Sequence, residues 1–235
     1  MLTVLLATAL LVSEPASLAS STVHGKKCDV IRLDLDRVRL GVVVASGFPS
    51  GDETFASMIE RSKPLAAING AYFSTDTKKP IGDIVIDGKV VLQGRMGTAL
   101  AVDVEGNLDI LRVKFHRTMD WSKHVTVLVC GPALVLDGKV DVNPQIEGFT
   151  EEKIMQRHAR MGVGYTKNRE LLMVYVKDGV TFPEFAKVML ELGCFEAMNL
   201  DGGASLAMYF DGKNIKAPSR KLTNLLIAHR KSEQA

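Results

Sequence analysis

The residues best suited to chemistry lie in one short segment, Asn199-Leu200-Asp201-Gly202-Gly203-Ala204-Ser205. Two glycines after an aspartate predict a tight turn in which the backbone can come close to a ligand. Successive backbone N–H groups in such a turn can bind an anion. If the preceding residues are extended, Asn199 and Asp201 point to the same face, and the site would suit a sugar phosphate. A plain hairpin turn with a solvated aspartate explains the segment equally well on local chemistry alone.

Two further segments have a similar character. In Asn69-Gly70-Ala71-Tyr72-Phe73 an apolar strand ends at an Asn-Gly pair, and the two rings that follow can stack on a sugar, although packing in the core is their commoner role. Arg160 offers a planar fork that suits phosphate or carboxylate, the alternative being a surface arginine at the start of a strand. His158 lies beside it and is the one histidine of the five that we retain as a site candidate.

Taken in this order, the segments resemble the phosphodiester glycosidase family. The family's hallmarks are an Asn-Gly-Gly-Phe-Phe-like segment, a Pro-Arg-Thr-like strand start, a Val-Asp-Gly strand end and an Asn-Leu-Asp-Gly-Gly-Gly-Ser motif. The matching residues are Asn69-Gly70-Ala71-Tyr72-Phe73, Ala159-Arg160-Met161, Lys177-Asp178-Gly179 and Asn199 to Ser205, with Pro218, Arg220 and Asn224-Leu225 in the closing segment. The resemblance extends from about Leu65 to the C-terminus. Ala71 and Ala204 replace glycines common in the family, and Met161 replaces a threonine.

The resemblance, together with the local chemistry, implies a glycoside hydrolase that cleaves a sugar 1-phosphodiester or a related glycosidic bond. The implied catalytic residues are Asp201, Asp178 and Arg160, and the implied substrate-binding residues are Asn69, Gly70, Tyr72, Phe73, His158, Asn199, Gly202, Gly203 and Ser205. Arg160 and the N–H groups around Gly202-Gly203 would hold the phosphate. Asp201 or Asp178 would act as base or nucleophile, and Asn69 and Asn199 would bind sugar hydroxyls. A departing phosphate is a weak base, so the site needs charge stabilisation more than a general acid.

No cofactor is implied. A divalent cation is chemically compatible with the site, because Asp178 and Asp201 are hard oxygen ligands, but the spacing of the residues does not demand one. The sequence contains no His-Glu-x-x-His, EF-hand, Walker or dinucleotide-binding motif. Gly203-Ala204-Ser205-Leu206-Ala207 approaches a nucleophile elbow, but its last position is alanine and too few residues follow for the rest of that fold.

Two other functions remain open at this point. An O-glycosidase acting on envelope or extracellular polysaccharide (an exopolysaccharide, for example) would use Asp178 and Asp201 as its acid/base pair. The two carboxyl groups would then be about 5–5.5 Å apart in a retaining enzyme and roughly 6.5–9.5 Å apart in an inverting one. A non-catalytic carbohydrate-binding protein on the same scaffold would result if Ala71 and Ala204 had closed the pocket.

The elements that must position these residues are mostly strands. Apolar patterns predict strands over residues 31–35, 38–44, 83–91, 98–104, 108–115, 125–129, 133–140, 162–165 and 171–176. Asp-Gly pairs at 87–88, 137–138 and 211–212 predict type I′ turns, with a related turn at Glu105-Gly106. Helices are expected at 54–61, 151–158 and 183–192, the last capped by Thr181 and ended by Gly193. We predict a single α+β domain, with a mixed, largely antiparallel sheet and a few helices, over residues 28–232.

The N-terminus predicts export. Residues 1–12 are nearly all apolar, the run is too short to span a bilayer, and Ser17-Leu18-Ala19 suits a signal peptidase. We therefore predict a signal peptide over residues 1–19, although no Lys or Arg precedes the apolar run; a hydrophobic first element of the fold is the alternative. The protein is expected to be secreted or located in the periplasm or envelope. After signal removal we expect no stable membrane insertion.

Bulk composition narrows the choice of partner. The formal net charge of +2, without a dense basic run, argues against nucleic acid, which leaves a carbohydrate or sugar phosphate. Cys28, Cys130 and Cys194 include no Cys-x-x-Cys pair, so neither a zinc ribbon nor a thioredoxin-type motif is available. Their surroundings favour small core residues over a disulfide bridge.

Overall fold

A computed structural model describes residues 14–231. Its strands are β1 (Ala16–Val23), β2 (Lys26–Asp34), β3 (Val38–Val44), β4 (Ala66–Asn69), β5 (Ile84–Ile86), β6 (Lys89–Leu92), β7 (Thr98–Asp103), β8 (Leu108–Arg112), β9 (His124–Cys130), β10 (Ala133–Leu136), β11 (Lys139–Val140), β12 (His158–Thr166), β13 (Glu170–Val180), β14 (Cys194–Asn199), β15 (Met208–Phe210), β16 (Lys213–Lys216) and β17 (Asn224–Arg230). Its helices are α1 (Phe55–Ser62), α2 (Glu152–Met155) and α3 (Phe182–Glu191), with short 3-10 turns at Pro144–Glu147 and Gly203–Ser205.

The strands form three sheets. Their orders are β1-β2-β13-β12-β14-β10-β11, β16-β15-β4-β17-β3 and β6-β5-β9-β7-β8. Every strand pair between residues 14 and 231 is antiparallel. Strands hold 47% of the residues and helices 13%, so the predicted α+β single domain is confirmed only roughly, because the fold is dominated by sheet.

The main core lies where the three sheets face one another. It contains residues from all three, among them Met173, Ile68 and Leu100. Helix α3 covers the other face of the seven-stranded sheet, with Phe185 and Met189 fully buried against it. Burying alternate strand residues on opposite faces therefore gives the sheet one core on each side.

Several local predictions are confirmed. Thr181 and Glu184 form a reciprocal capping box at the start of α3, and Gly193 follows its end with φ +93°. Both central residues have positive φ in the three Asp-Gly turns, with values of +49° and +77° at Asp87-Gly88, as a type I′ turn requires. At Glu105-Gly106 only the glycine has positive φ, so that turn is of a different type. All three cysteines are free and buried.

The predicted signal peptide meets the fold at β1. Its apolar run, residues 1–12, lies outside the described residues. Residues 16–19, however, belong to β1, which pairs with β2 from Ala16–Leu33 to Val23–Lys26. Cleavage after Ala19 would remove half of this edge strand, which itself precedes the predicted domain start at residue 28. The cleavage site therefore stays a prediction, and a site before Ala16 would spare the strand. No helix among residues 14–231 is long and apolar enough to cross a membrane.

Glu53 anchors the segment that leads into β17. Its backbone forms a bridge with Leu222, and its buried carboxylate accepts hydrogen bonds from Arg61, Ser57 and Ser46. Hydrogen bonds from Arg61 lower the pKa of this carboxyl group to about 2. We expect Glu53→Gln to lower the free energy of unfolding at neutral pH by about 2–3 kcal/mol.

Because the folded-state pKa is depressed, the stability that Glu53 contributes is complete above pH 4.5 and disappears as the pH falls towards about 2. Urea denaturation of both proteins across this range measures the difference. A gap between wild type and variant that stayed constant with pH would contradict this role.

Candidate active site

Asp201 lies just beyond the end of β14, and the last residue of β4 and the residue after it hold its backbone. The Asp201 N–H donates to the Gly70 carbonyl at 3.1 Å, and Asn69 Nδ2 donates to the Asp201 carbonyl at 2.8 Å. Asn69 Oδ1 accepts from the Ala207 N–H at 3.2 Å. Both ends of this buried amide are therefore used by the backbone, so the structure gives Asn69 a positioning role in place of the predicted contact with a sugar hydroxyl.

Gly70 is likewise buried and positions Asp201. A Cβ atom there would lie 2.0 Å from Asn224 Oδ1, so the position requires glycine because of this neighbour. Asn224 Oδ1 accepts from the Ala71 N–H at 2.7 Å. The Gly70 carbonyl accepts from Asp201 and its N–H donates to the Asn224 carbonyl. Its backbone is therefore used in holding Asp201 and not in binding a ligand.

The Asp201 carboxylate is buried, with 6% of the residue exposed. Oδ2 accepts from Arg220 Nη2 at 3.0 Å, and the Arg220 Nε donates to Ser205 Oγ at 2.7 Å. Burial raises the pKa of Asp201 above its ordinary value of 3.8, and hydrogen bonds and charge from Ser205, Arg220 and Gly202 offset part of this effect. A carboxylate with a raised pKa in such a site is suited to proton transfer.

The two glycines differ in their roles. The Gly202 N–H donates to Asp201 Oδ1 at 2.8 Å, so it is not available for the predicted phosphate contact. Gly203 has φ +59°, with open space where a Cβ would be, and its N–H has no hydrogen-bond partner among the described residues. Ala204 and Ala71 do not adopt positive φ. The two alanines that replace family glycines are therefore not strained.

Arg160 carries a buried positive charge without a counter-charge. Only 5% of the residue is exposed, and no carboxylate between residues 14 and 231 lies within 4.0 Å of its guanidinium. Nε donates to the Val180 carbonyl at 2.9 Å, and Nη2 donates to the carbonyls of Ile154 and Gln156 at 2.8 and 2.7 Å. The Arg160 guanidinium also stacks on the Phe182 ring, 3.8 Å from its centre.

These contacts change the way in which Arg160 can bind an anion. The three carbonyls use Nε and Nη2, so the predicted two-point fork is reduced to Nη1. Burial lowers the pKa of Arg160 to about 10, so the group is still charged at neutral pH. A buried cation costs free energy unless an anion compensates it, and this site therefore favours an anionic ligand.

The Tyr72 hydroxyl is held by Asn199. Asn199 Nδ2 donates to the phenol oxygen at 2.8 Å, and Asn199 is paired with Gly162, two residues beyond Arg160 on β12. The charges of Asp201 and Arg160 act on this phenol in opposite directions, while burial raises the pKa of Tyr72 well above its ordinary value. The structure thus brings Asn199 into contact with Tyr72, whereas no contact joins Arg160 to Asp201 among the described residues, so their use in one pocket stays a prediction.

A cavity of about 630 Å³ opens beside Tyr72. Its walls include the rings of Phe73 and Phe149, and the Tyr72 and Phe149 rings meet edge to face at 5.7 Å between centres. Arg220 lies over the Phe73 ring at 4.4 Å, so the aromatic wall adjoins the Asp201 group. This volume and these rings suit a sugar ring with its substituent.

His158 is exposed at the start of β12. Its Nε2 lies 3.0 Å from the carbonyl of Lys153, a residue that lines the cavity. The structure therefore places His158 against the segment that forms the cavity wall, and its ring contacts neither Arg160 nor Asp201 in the described structure.

Asp178 is not brought together with the other predicted catalytic residues. It lies on β13, and its Oδ2 accepts from the backbone N–H of Lys27, at the start of β2, at 2.6 Å. Within the described chain, its carboxylate makes no hydrogen bond or ion pair with Asp201 or Arg160. The antiparallel pairing of β13 with β2 explains this position, because it carries Asp178 past Cys28 to the first residues of β2.

Two residues of the site were not predicted as site residues. Arg220 pairs with the Asp201 carboxylate, and Asn224 fixes the turn after β4. Both lie in the closing segment that resembles the family, and this resemblance was the one signal in the sequence that could have marked them as site residues. Residues 14–231 contain no group of three or more His, Cys, Asp or Glu side chains that could hold a metal ion.

Comparisons with known proteins identify the family of this chain. A family model described as phosphodiester glycosidase matches residues 62–229. The N-acetylglucosamine-1-phosphodiester alpha-N-acetylglucosaminidase of Bos taurus is 24% identical over 199 residues, which cover 75% of this chain and 38% of the bovine protein. The chain thus spans little more than a third of that relative's length.

Solved structures show the same fold. The zebrafish N-acetylglucosamine-1-phosphodiester alpha-N-acetylglucosaminidase catalytic domain, auto-inhibited by its pro-peptide, superposes with a TM-score of 0.77 at 20% identity, covering 94% of this chain and 85% of that one. A protein from Synechocystis gives a TM-score of 0.71 at 13% identity, with 92% and 62% covered. Because the family model matches well over half of its residues, this chain belongs to the phosphodiester glycosidase family.

Proposed function

We propose that the protein hydrolyses a sugar 1-phosphodiester, breaking the bond between the anomeric carbon and the phosphate oxygen. One observation carries the proposal. The buried Arg160 guanidinium, which has no carboxylate partner among the described residues, donates to the carbonyl of Ile154. The buried Asp201 carboxylate pairs with Arg220, which lies over the Phe73 ring. Ile154 and Phe73 line the same cavity. A ligand with an anionic group next to a reacting carbon would compensate the charge of Arg160 and place that carbon near the Asp201 carboxylate.

Arg160 and Asp201 have separate roles in this reaction. Arg160 offers Nη1 to the phosphate and stabilises the charge that grows on it as the bond breaks. Asp201 acts at the anomeric carbon, either as base for a water molecule or as nucleophile, with Arg220 and Gly202 fixing its two oxygens. The phosphate monoester leaves as a weak base, so no second carboxylate has to protonate it.

A relative's name and the size of the cavity support the proposed substrate class. The bovine relative is named for an N-acetylglucosamine 1-phosphodiester, and a 630 Å³ cavity with aromatic walls accommodates a sugar of this size. We propose a sugar 1-phosphodiester of this class as substrate.

The test is a panel of sugar 1-phosphodiesters and neutral glycans incubated with the purified protein. We expect release of a reducing sugar and a phosphate monoester from the phosphodiesters. Release from neutral glycans alone would instead identify an O-glycosidase, and binding without release would identify a carbohydrate-binding protein.

The pH dependence of the reaction reports on Asp201. If the carboxylate must be ionised, kcat/KM rises with pH along a limb whose apparent pKa lies above 3.8, because burial raises the pKa of this group. Arg220→Gln should move the limb to higher pH, since the charge of Arg220 lowers that pKa. A limb at or below 3.8, or one unmoved by the substitution, would contradict this assignment.

We further propose that the protein acts outside the cytoplasm, in the envelope or the medium. The apolar run in residues 1–12 supports this. Cell fractionation with N-terminal sequencing of the mature protein tests it, and a cytoplasmic protein that retains residue 1 would exclude it.

A further inference from the structure

The hydrogen bonds of Asn199 determine which way the Tyr72 hydroxyl can point. Asn199 Nδ2 lies 2.8 Å from the Tyr72 oxygen, 3.2 Å from the Gly131 carbonyl and 2.5 Å from the Leu200 carbonyl. Carbonyls accept and cannot donate. The amide therefore cannot be turned over, because Oδ1 would then face two acceptors.

The buried environment of Asn199 supports this orientation. Only 1% of the residue is exposed, and its Oδ1 has no hydrogen-bond partner within residues 14–231. The alternative orientation would leave Oδ1 against two carbonyl oxygens, so the orientation with Nδ2 on this side is favoured although Oδ1 stays unpaired. Nδ2 shares two hydrogens among these three acceptors, and an amide nitrogen does not accept a hydrogen bond, so the Tyr72 proton is not used there.

The proton of the phenol must point elsewhere. Among the described residues the Tyr72 oxygen has no second hydrogen-bond partner, and the side chain lines the 630 Å³ cavity. Burial keeps the pKa of the phenol well above its ordinary value, so the group stays protonated. The structure thus presents an O–H donor to a cavity whose wall includes Ile154, the residue whose carbonyl accepts from Arg160 Nη2.

From this geometry we infer that the Tyr72 hydroxyl donates a hydrogen bond to a phosphoryl oxygen of the substrate, beside Nη1 of Arg160. Tyr72 is then a catalytic residue that acts through its hydroxyl oxygen. The sequence had instead predicted that its ring stacks on a sugar. The inference rests on the proposed function for its substrate. The phosphate contact itself can be measured without turnover.

Tyr72→Phe is the matched test, because it keeps the ring and removes only the oxygen. We expect kcat/KM for a sugar 1-phosphodiester to fall about 100-fold, the effect of removing one donor to a developing oxyanion. The affinity for inorganic phosphate, measured by calorimetry, should fall about 10-fold, while the affinity for the free sugar is unchanged. Tyr175→Phe, which removes a phenol oxygen on β13 beside Lys177, is the control and should behave as wild type.

The two measurements separate the inference from the proposed function. If wild type binds phosphate through Tyr72 but does not hydrolyse phosphodiesters, the contact stands and the function does not. If Tyr72→Phe binds phosphate as tightly as wild type, the inference is wrong. It is also wrong if phosphate and sugar affinities fall by the same factor, because the hydroxyl would then act only through Asn199 on the shape of the site.

Discussion

Asp201→Asn is expected to lower kcat for sugar 1-phosphodiester hydrolysis by about three orders of magnitude or more. The substitution removes the negative charge that a base or nucleophile requires. It keeps an oxygen that can accept from the Gly202 N–H, and the backbone contacts from Asn69 and Gly70 do not depend on the side chain. The fold should therefore survive, which thermal unfolding can verify, and substrate should still bind.

The matched control is Asp178→Asn. Asp178 accepts from the Lys27 N–H, and an asparagine oxygen can do the same, so this variant should retain the activity of wild type. Loss of activity in both variants would indicate a pair of carboxylates, as in the O-glycosidase alternative. Full activity of Asp201→Asn would falsify the assignment of Asp201.

Arg160→Lys is expected to lower kcat/KM for the same substrate by about two to three orders of magnitude. Lysine keeps the charge but cannot hold the carbonyls of Val180, Ile154 and Gln156 while also presenting a donor to the phosphate. The affinity for inorganic phosphate should fall in parallel, since the same contact is lost.

Arg157→Lys provides the control for Arg160. Arg157 belongs to the same segment, but it is exposed and donates to Gly179 and Glu184. We expect it to leave both hydrolysis and phosphate binding unchanged. An Arg160→Lys protein that binds phosphate as tightly as wild type would show that the guanidinium only holds the segment in place.

Features that depend on local chemistry were predictable from the sequence. The Thr181 cap of α3 and the Asp-Gly turns follow from short-range rules, and the structure has them. The segment around Asp201 was found for a similar reason, because its residue types are unusual within a few positions. In contrast, residues 16–19 of β1 were assigned to the predicted signal peptide, because Ser17-Leu18-Ala19 suits a signal peptidase, and the pairing of β1 with β2 was not anticipated.

Features that depend on contacts between distant segments were not predictable. The side chains of Asn69 and Arg160 were expected to bind the ligand. Asn69 instead donates to the backbone carbonyl of Asp201, more than 100 positions away, and Arg160 Nε donates to that of Val180, 20 positions away. Asp178 has a suitable residue type, yet the register of β13 with β2 directs it to Lys27. Residue type shows what chemistry is possible, whereas the register of the sheets decides which groups remain free to perform it.

The central claim is that the bond between the anomeric carbon and the phosphate oxygen is broken. The most direct test is to hydrolyse a sugar 1-phosphodiester in water enriched in oxygen-18 and to measure the mass of the released phosphate monoester by mass spectrometry. Cleavage between the anomeric carbon and oxygen leaves every phosphate oxygen in place, so we predict a product without the label. Attack at phosphorus would transfer one labelled oxygen to the phosphate, and finding that label would show that the protein is a phosphodiesterase and not a glycosidase.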